Sequence, residues 1–143
     1  MSEATPAYVL DTSAWLTLIE DEAGSDAVQE ILEQTQAGEA VVFVSFMSFM
    51  EVYYITLQEH GEGEALERVN LIAALPVLRV ESTEGLNILA AELKAMHRLS
   101  VADAWIAALA KEREATLVHK DPEFKQVEDE IDVLELPYKT VAE

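Results

Sequence analysis

Four carboxylates in this chain stand where a purely structural role is expensive, or where several of them would converge. Asp11 directly follows the apolar run Tyr8-Val9-Leu10, which places it at the carboxyl end of a strand. In open α/β sheets that edge is where ligands bind; the competing role is to cap the short helix that follows, at which Asp excels. Glu51 lies in a helical stretch with Met47, Tyr54, Ile55 and Gln58 on its own face and Phe46, Phe49 and Tyr53 opposite. A helix so apolar is expected to be buried, and a lone buried carboxylate is costly or stays protonated. Otherwise Glu51 and Gln58 mark a narrow seam facing solvent. Asp103 falls in the first turn of a helix opened by Ser100, where the helix dipole favours an acid, but Val101, Ala102, Ala104, Trp105 and Ile106 around it are apolar. Asp121 follows the strand Thr116-Leu117-Val118 by a few residues, and its bland role is the turn-forming Asp-Pro pair with Pro122.

Together these positions point to one pocket. Two acids follow strands at the same sheet edge, one opens a helix, and one interrupts an apolar helix. Four carboxylates in one place repel each other and raise their own pKa values unless a cation joins them. Hard oxygen ligands of this kind suit Mg²⁺ or Mn²⁺. One or two such ions can activate water and stabilise the leaving oxygen during in-line attack on a phosphodiester.

The elements that must position these acids can be read along the chain. Strands are expected at Tyr8–Leu10, Val41–Val44, Val77–Val80 and Thr116–Val118, with a fifth at Ile131–Leu134. Helices are expected from Ala14 to Glu20, from about Gly24 to Gln36, and from Ser45 or Phe46 to His60. Others run from Glu64 to Leu75, from Thr83 or Glu84 to Arg98, and from Ser100 to about Glu114. Gly38, Gly61 and Pro76 supply stops. Strands alternating with helices predict an α/β fold, a central mostly parallel β-sheet flanked by helices on both faces. With no repeat or linker, residues 1–143 read as a single domain.

Composition narrows the chemistry. The chain has no cysteine, so disulfides, thiolate metal sites and a cysteine nucleophile are excluded. Any metal must be held by oxygen ligands or by His60, His97 and His119. The start of the chain lacks the basic and apolar segments of a signal peptide, and the longest apolar stretch, Ala40 to Met50, is interrupted by Ser45 and Ser48. A cytoplasmic location without membrane contact is the expectation. The net charge of −19 weighs against a module that binds nucleic acid by neutralising phosphates. It leaves room for a nuclease, since bound divalent cations supply positive charge locally.

Four blocks in order resemble the PIN-domain family, especially its VapC-type toxins. They are Tyr8-Val9-Leu10-Asp11-Thr12-Ser13-Ala14, Ser48-Phe49-Met50-Glu51-Val52, Leu99 through Ala108, and Thr116 through Phe124. They span nearly the whole chain, and the third is the most specific. The resemblance implies a PIN-like fold and an Mg²⁺/Mn²⁺-dependent endoribonuclease acting as the toxin of a type II toxin–antitoxin pair. It also implies a homodimer and a cognate antitoxin whose tail occupies the acidic groove. Carried over by position, Asp11, Glu51, Asp103 and Asp121 are the catalytic, metal-holding acids. Ser13 matches the small hydroxyl residue that helps position water or metal. His119 departs from the family pattern, which has Thr or Ser there, and it is left to coordinate, to hold a phosphate, or to do neither. Glu123 is a substitute for Asp121 or, beside Phe124, a supporting residue. Lys94, Arg98 and Lys120 are candidate contacts to the RNA backbone.

Two other readings compete. One is a PIN-like domain that has lost catalysis and only binds. The other is a phosphoryl-transfer domain with an aspartyl nucleophile. Phosphatases of the haloacid-dehalogenase kind need a second Asp two residues after the first, where Ser13 stands. A receiver domain needs paired early acids and a late lysine, which Lys120 matches loosely.

Overall fold

The structure is a computed structural model and describes residues 5–138. Its strands are β1 (Ala7–Leu10), β2 (Val41–Ser45), β3 (Leu78–Val80), β4 (Thr116–His119) and β5 (Val133–Glu135). All neighbouring pairs are parallel, in the order β3-β2-β1-β4-β5. This is the α/β architecture expected, and parallel pairing explains why β1, β2 and β4 are apolar on both sides.

Alternation along β1 divides the interior in two. Val9 and Leu117 face one core, while Leu10, Val42, Val44 and Val118 face the other. On the first face lie α5 (Glu84–Met96) and α6 (Val101–Glu112), whose Leu86, Ala90, Leu93, Ile106 and Leu109 are buried. The second face is covered by α1 (Thr12–Ile19), α2 (Ser25–Gln36), α3 (Phe46–His60) and α4 (Glu62–Ala74), through Trp15, Ile31, Phe49, Val52 and Ile72. Helices thus flank both faces. No helix among the described residues is long and apolar enough to cross a membrane.

Several boundaries moved. The first helix begins at Thr12 rather than Ala14, because Asp11 caps it. The helix expected from Glu64 starts at Glu62, with Gly61 turning the chain at φ +94°. The fifth strand begins at Val133, two residues later than read, and a 3₁₀ helix, Pro122–Val127, precedes it where no element was expected. The helix α3 is less enclosed than its composition suggested. Ser48, Phe49, Val52 and Thr56 form its buried seam, while Met50, Tyr54 and Leu57 are exposed.

The strand order places β1 between β2 and β4, so the chain runs outward from β1 to β3 on one side, then crosses back to β4 and runs outward to β5 on the other. In open α/β sheets the carboxyl ends of the strands flanking such a reversal, here β1 and β4, are where ligands bind. Asp11 ends β1 and Asp121 follows β4.

Candidate active site

Asp11 performs the capping role and leaves half its carboxylate over. Its Oδ2 accepts the Ser13 N–H at 3.0 Å and the Ser13 hydroxyl. Its Oδ1 is buried with no hydrogen-bond partner among the described residues, and the residue is only 2 % exposed. Burial pushes its pKa to about 7; the Ser13 hydrogen bonds oppose this and the charges of Glu51 and Asp121 add to it. Ser13 Oγ also accepts the Lys120 N–H at 2.8 Å, which ties the end of β1 to the end of β4. Ser13 therefore holds the carboxylate and the two strand ends together.

Glu51 is half-buried, neither sealed in the core nor on a solvent seam. Its position in α3 turns it towards the start of α1, where Thr12 Oγ1 donates to its Oε1 at 2.6 Å. Ser48, one turn earlier on the same helix, hydrogen-bonds Thr12 Oγ1 at 3.1 Å. Burial raises the Glu51 pKa, the Thr12 hydrogen bond works against that, and the charge of Asp121 contributes. Thr12 and Ser48 escaped the sequence reading; their signal was a hydroxyl beside Asp11 and another three residues before Glu51.

Asp103 is buried in the first turn of α6, its backbone N–H capped by Ser100 Oγ at 3.1 Å. Its pKa is raised, first by burial, then by the charge of Asp11 and by the close carboxyls of Asp121 and Glu123. One carboxylate oxygen from each of Asp103, Asp121 and Glu123 lies within 4.8 Å of the others. Asp121 caps the 3₁₀ helix by accepting the Glu123 N–H at 2.9 Å. Glu123 in turn accepts the Ser100 N–H at 3.0 Å, so it both supports the start of α6 and faces the acids.

His119 is buried at the end of β4, edge-on to Phe124 at 5.0 Å between ring centroids. Its Nδ1 accepts the Asp121 N–H at 3.1 Å, and its Nε2 is buried without a partner among the described residues. Burial lowers its pKa against the opposing charges of Glu135 and Asp121. Of the three basic candidates, Arg98 is exposed and bonds Gln126 through its backbone, while the ammonium groups of Lys120 and Lys94 are occupied. Lys120 Nζ donates to the Ala23 carbonyl at 2.7 Å and stands 3.6 Å from Glu22. Lys94 Nζ donates to the Leu99 carbonyl at 2.9 Å. Lys120 is thus turned away from Asp11, unlike the lysine of a receiver site.

The arrangement fits a divalent cation. Its donors are hard oxygens, the unpartnered Asp11 Oδ1 is costly as it stands, and burial, with the charges of neighbouring carboxylates adding to it, lifts three carboxyl pKa values. A second cluster, Glu20, Glu59 and His60, is exposed, and Arg68 pairs with Glu20 at 3.2 Å.

Fold and site together define an all-parallel α/β domain with a carboxylate pocket at its switch point. The PIN-domain profile matches residues 8–130, and the chain belongs to that family. Among solved structures it is similar to VapBC2 from Rickettsia felis bound to a promoter DNA fragment. That match has a TM-score of 0.75 and 14% identity, covering 92% of this chain and 99% of the other. DNA-bound VapBC from Salmonella typhimurium matches with a TM-score of 0.74 at 16% identity, over 91% and 98%. VapC20 from Mycobacterium tuberculosis, a toxin that cleaves the sarcin–ricin loop, matches with a TM-score of 0.64 at 21% identity, over 84% and 94%. At such identities the likeness is one of fold. A search of curated proteins gave no significant match.

Proposed function

We propose that this chain is an Mg²⁺- or Mn²⁺-dependent endoribonuclease that hydrolyses RNA phosphodiesters, and that it is the toxin of a type II toxin–antitoxin pair. The observation that carries the reading is the buried, unpartnered Asp11 Oδ1, on a carboxylate that interacts electrostatically with those of Glu51, Asp103 and Asp121. Family membership and the toxin–antitoxin complexes among its structural relatives support it.

Asp11, Glu51, Asp103 and Asp121 would hold the cation, with Glu123 beside them. When bound, the cation supplies Lewis-acid stabilisation of phosphoryl oxygens and lowers the pKa of water. The chain's own part is to shed protons and keep geometry. Asp11, with a pKa of about 7, must give up its proton before its second oxygen can serve as a ligand. Thr12 and Ser13 orient Glu51 and Asp11 through their hydroxyls. His119 is sealed in the core with Nδ1 engaged, so it is not the group that accepts a proton from water. With a net charge of −19, RNA binding depends on the cation and on local basic groups rather than on the general field. A cognate antitoxin and a second copy of the chain complete the reading; the exposed Met50, Tyr54 and Leu57 of α3 offer apolar surface for a partner.

The test is to incubate the partner-free protein with total RNA in Mn²⁺, in Mg²⁺ and in EDTA, alongside Asp11→Asn and Asp103→Asn. Cleavage that needs metal and is lost in both variants is expected. Equal behaviour of wild type and variants in every condition would overturn the nuclease reading in favour of a binding module.

A further inference from the structure

The geometry points to His119 as a positioning residue for the acid pocket: through Nδ1 it fixes the backbone of Asp121, and so aims the Asp121 and Glu123 carboxylates at Asp103. The inference rests on the pocket reading above and adds a residue that touches neither metal nor substrate.

Side chains and backbone amides form a relay from the end of β4 to the start of α6. His119 Nδ1 accepts the Asp121 N–H at 3.1 Å, and Asp121 Oδ1 accepts the Glu123 N–H at 2.9 Å. Glu123 Oε1 accepts the Ser100 N–H at 3.0 Å, and Ser100 Oγ accepts the Asp103 N–H at 3.1 Å. Each link uses the oxygen or nitrogen of one residue to hold the backbone of the next. The relay begins at the one member that is fully buried and packed, since His119 is 0 % exposed and stacks edge-on against Phe124. A rigid anchor at that end transmits its placement to three carboxylates, as second-layer partners of metal ligands do.

The cost of the imidazole argues that the contact matters. An accepting Nδ1 requires the proton on Nε2, and that Nε2 has no partner among the described residues. A valine or leucine would fill the same core position without a stranded donor. What the imidazole supplies and an aliphatic side chain cannot is an acceptor for the Asp121 amide. Asn carries its Oδ1 at that place, and a short hydroxyl reaches an amide two residues on in the same way.

The experiment compares wild type, His119→Leu and His119→Asn by Mn²⁺ titration followed by EPR, with the Mn²⁺ dependence of RNA cleavage and thermal unfolding measured in parallel. His119→Leu is expected to weaken Mn²⁺ binding roughly 10–100-fold, the range typical of lost outer-layer partners. Its cleavage rate at saturating Mn²⁺ should stay close to wild type, and His119→Asn should restore most of the affinity. Nitrogen-15 NMR of the metal-free wild type should show the proton on Nε2. Unchanged Mn²⁺ affinity in a folded His119→Leu, equal loss in both variants, or a proton on Nδ1 each overturns the positioning role. A wild type that binds no Mn²⁺ overturns the nuclease reading and this role together. One that binds Mn²⁺ but leaves RNA intact overturns only the nuclease reading.

Discussion

Removing the Asp11 carboxylate should stabilise the metal-free protein in alkali, although the residue belongs to the proposed pocket. Burial holds this carboxyl at about 7 in the folded chain against an ordinary 3.8. The folded state therefore binds the proton roughly a thousandfold more tightly than the unfolded chain, at about 1.4 kcal/mol per tenfold. A raised folded pKa contributes stability that is fully present below about pH 4 and lost as pH rises through about 7. The whole effect is about 4 kcal/mol, and about 2 kcal/mol of it falls between roughly pH 5.5 and 8.5. Because the group is 2 % exposed, solvent screens little of this. Asp11→Asn has no proton to lose and keeps an acceptor for the Ser13 N–H. Urea unfolding of both proteins at each pH, in EDTA, should show wild type losing about 2 kcal/mol more than the variant across that window. Saturating Mn²⁺ should remove the difference by stabilising wild type alone, since the cation takes the place of the proton. Parallel pH curves in EDTA, or equal Mn²⁺ stabilisation of both proteins, would refute the reasoning.

Two further outcomes follow from the hydrogen bonds around the pocket. Thr12→Val removes the donor that favours ionised Glu51, so Mn²⁺ binding should need a higher pH, read as an alkaline shift in the midpoint of a pH-dependent EPR titration. Lys120→Met keeps the aliphatic stem but loses the bond to the Ala23 carbonyl, which should cost roughly 1.5–3 kcal/mol in urea unfolding. RNA cleavage by that variant should stay unchanged, because the ammonium is committed to the loop before α2 rather than to the pocket.

Much of the site was legible because strand and helix ends carry their own punctuation. Asp11 after Leu10 and Asp103 after Ser100 could be placed from local pattern alone, and the parallel sheet follows from strands alternating with helices. Glu51 could be singled out but not oriented. Its surroundings depend on how α3 packs, and the exposed Met50 and Leu57 show that an apolar helix need not be enclosed. Between the fourth strand and Ile131 the sequence shows only the Asp121-Pro122 turn, since a short 3₁₀ helix has no amphipathic period to betray it. That omission hid how Glu123 at once supports the start of α6 and faces the acids. A histidine in a sequence reveals its chemistry but not its burial, and here the fold engages Nδ1 and leaves Nε2 buried without a partner among the described residues. Lys94 and Lys120 were candidate phosphate contacts for the same reason: only tertiary structure shows that carbonyl oxygens already occupy their ammonium groups.

The pairing of β1 with β4 also has a kinetic consequence. Tyr8 lies in register with Thr116, so the central strand gains its second neighbour only when the chain returns from more than a hundred residues away. Contacts that distant form late and slowly, because loop closure must precede any reward. A chain emerging from synthesis, or cut before Thr116, can hold Asp11 and Glu51 on one half but has neither Asp121 nor Glu123 to set against them. The pocket is thus a property of the finished fold, and two inert fragments divided between α6 and β4 should acquire it only on reassembly.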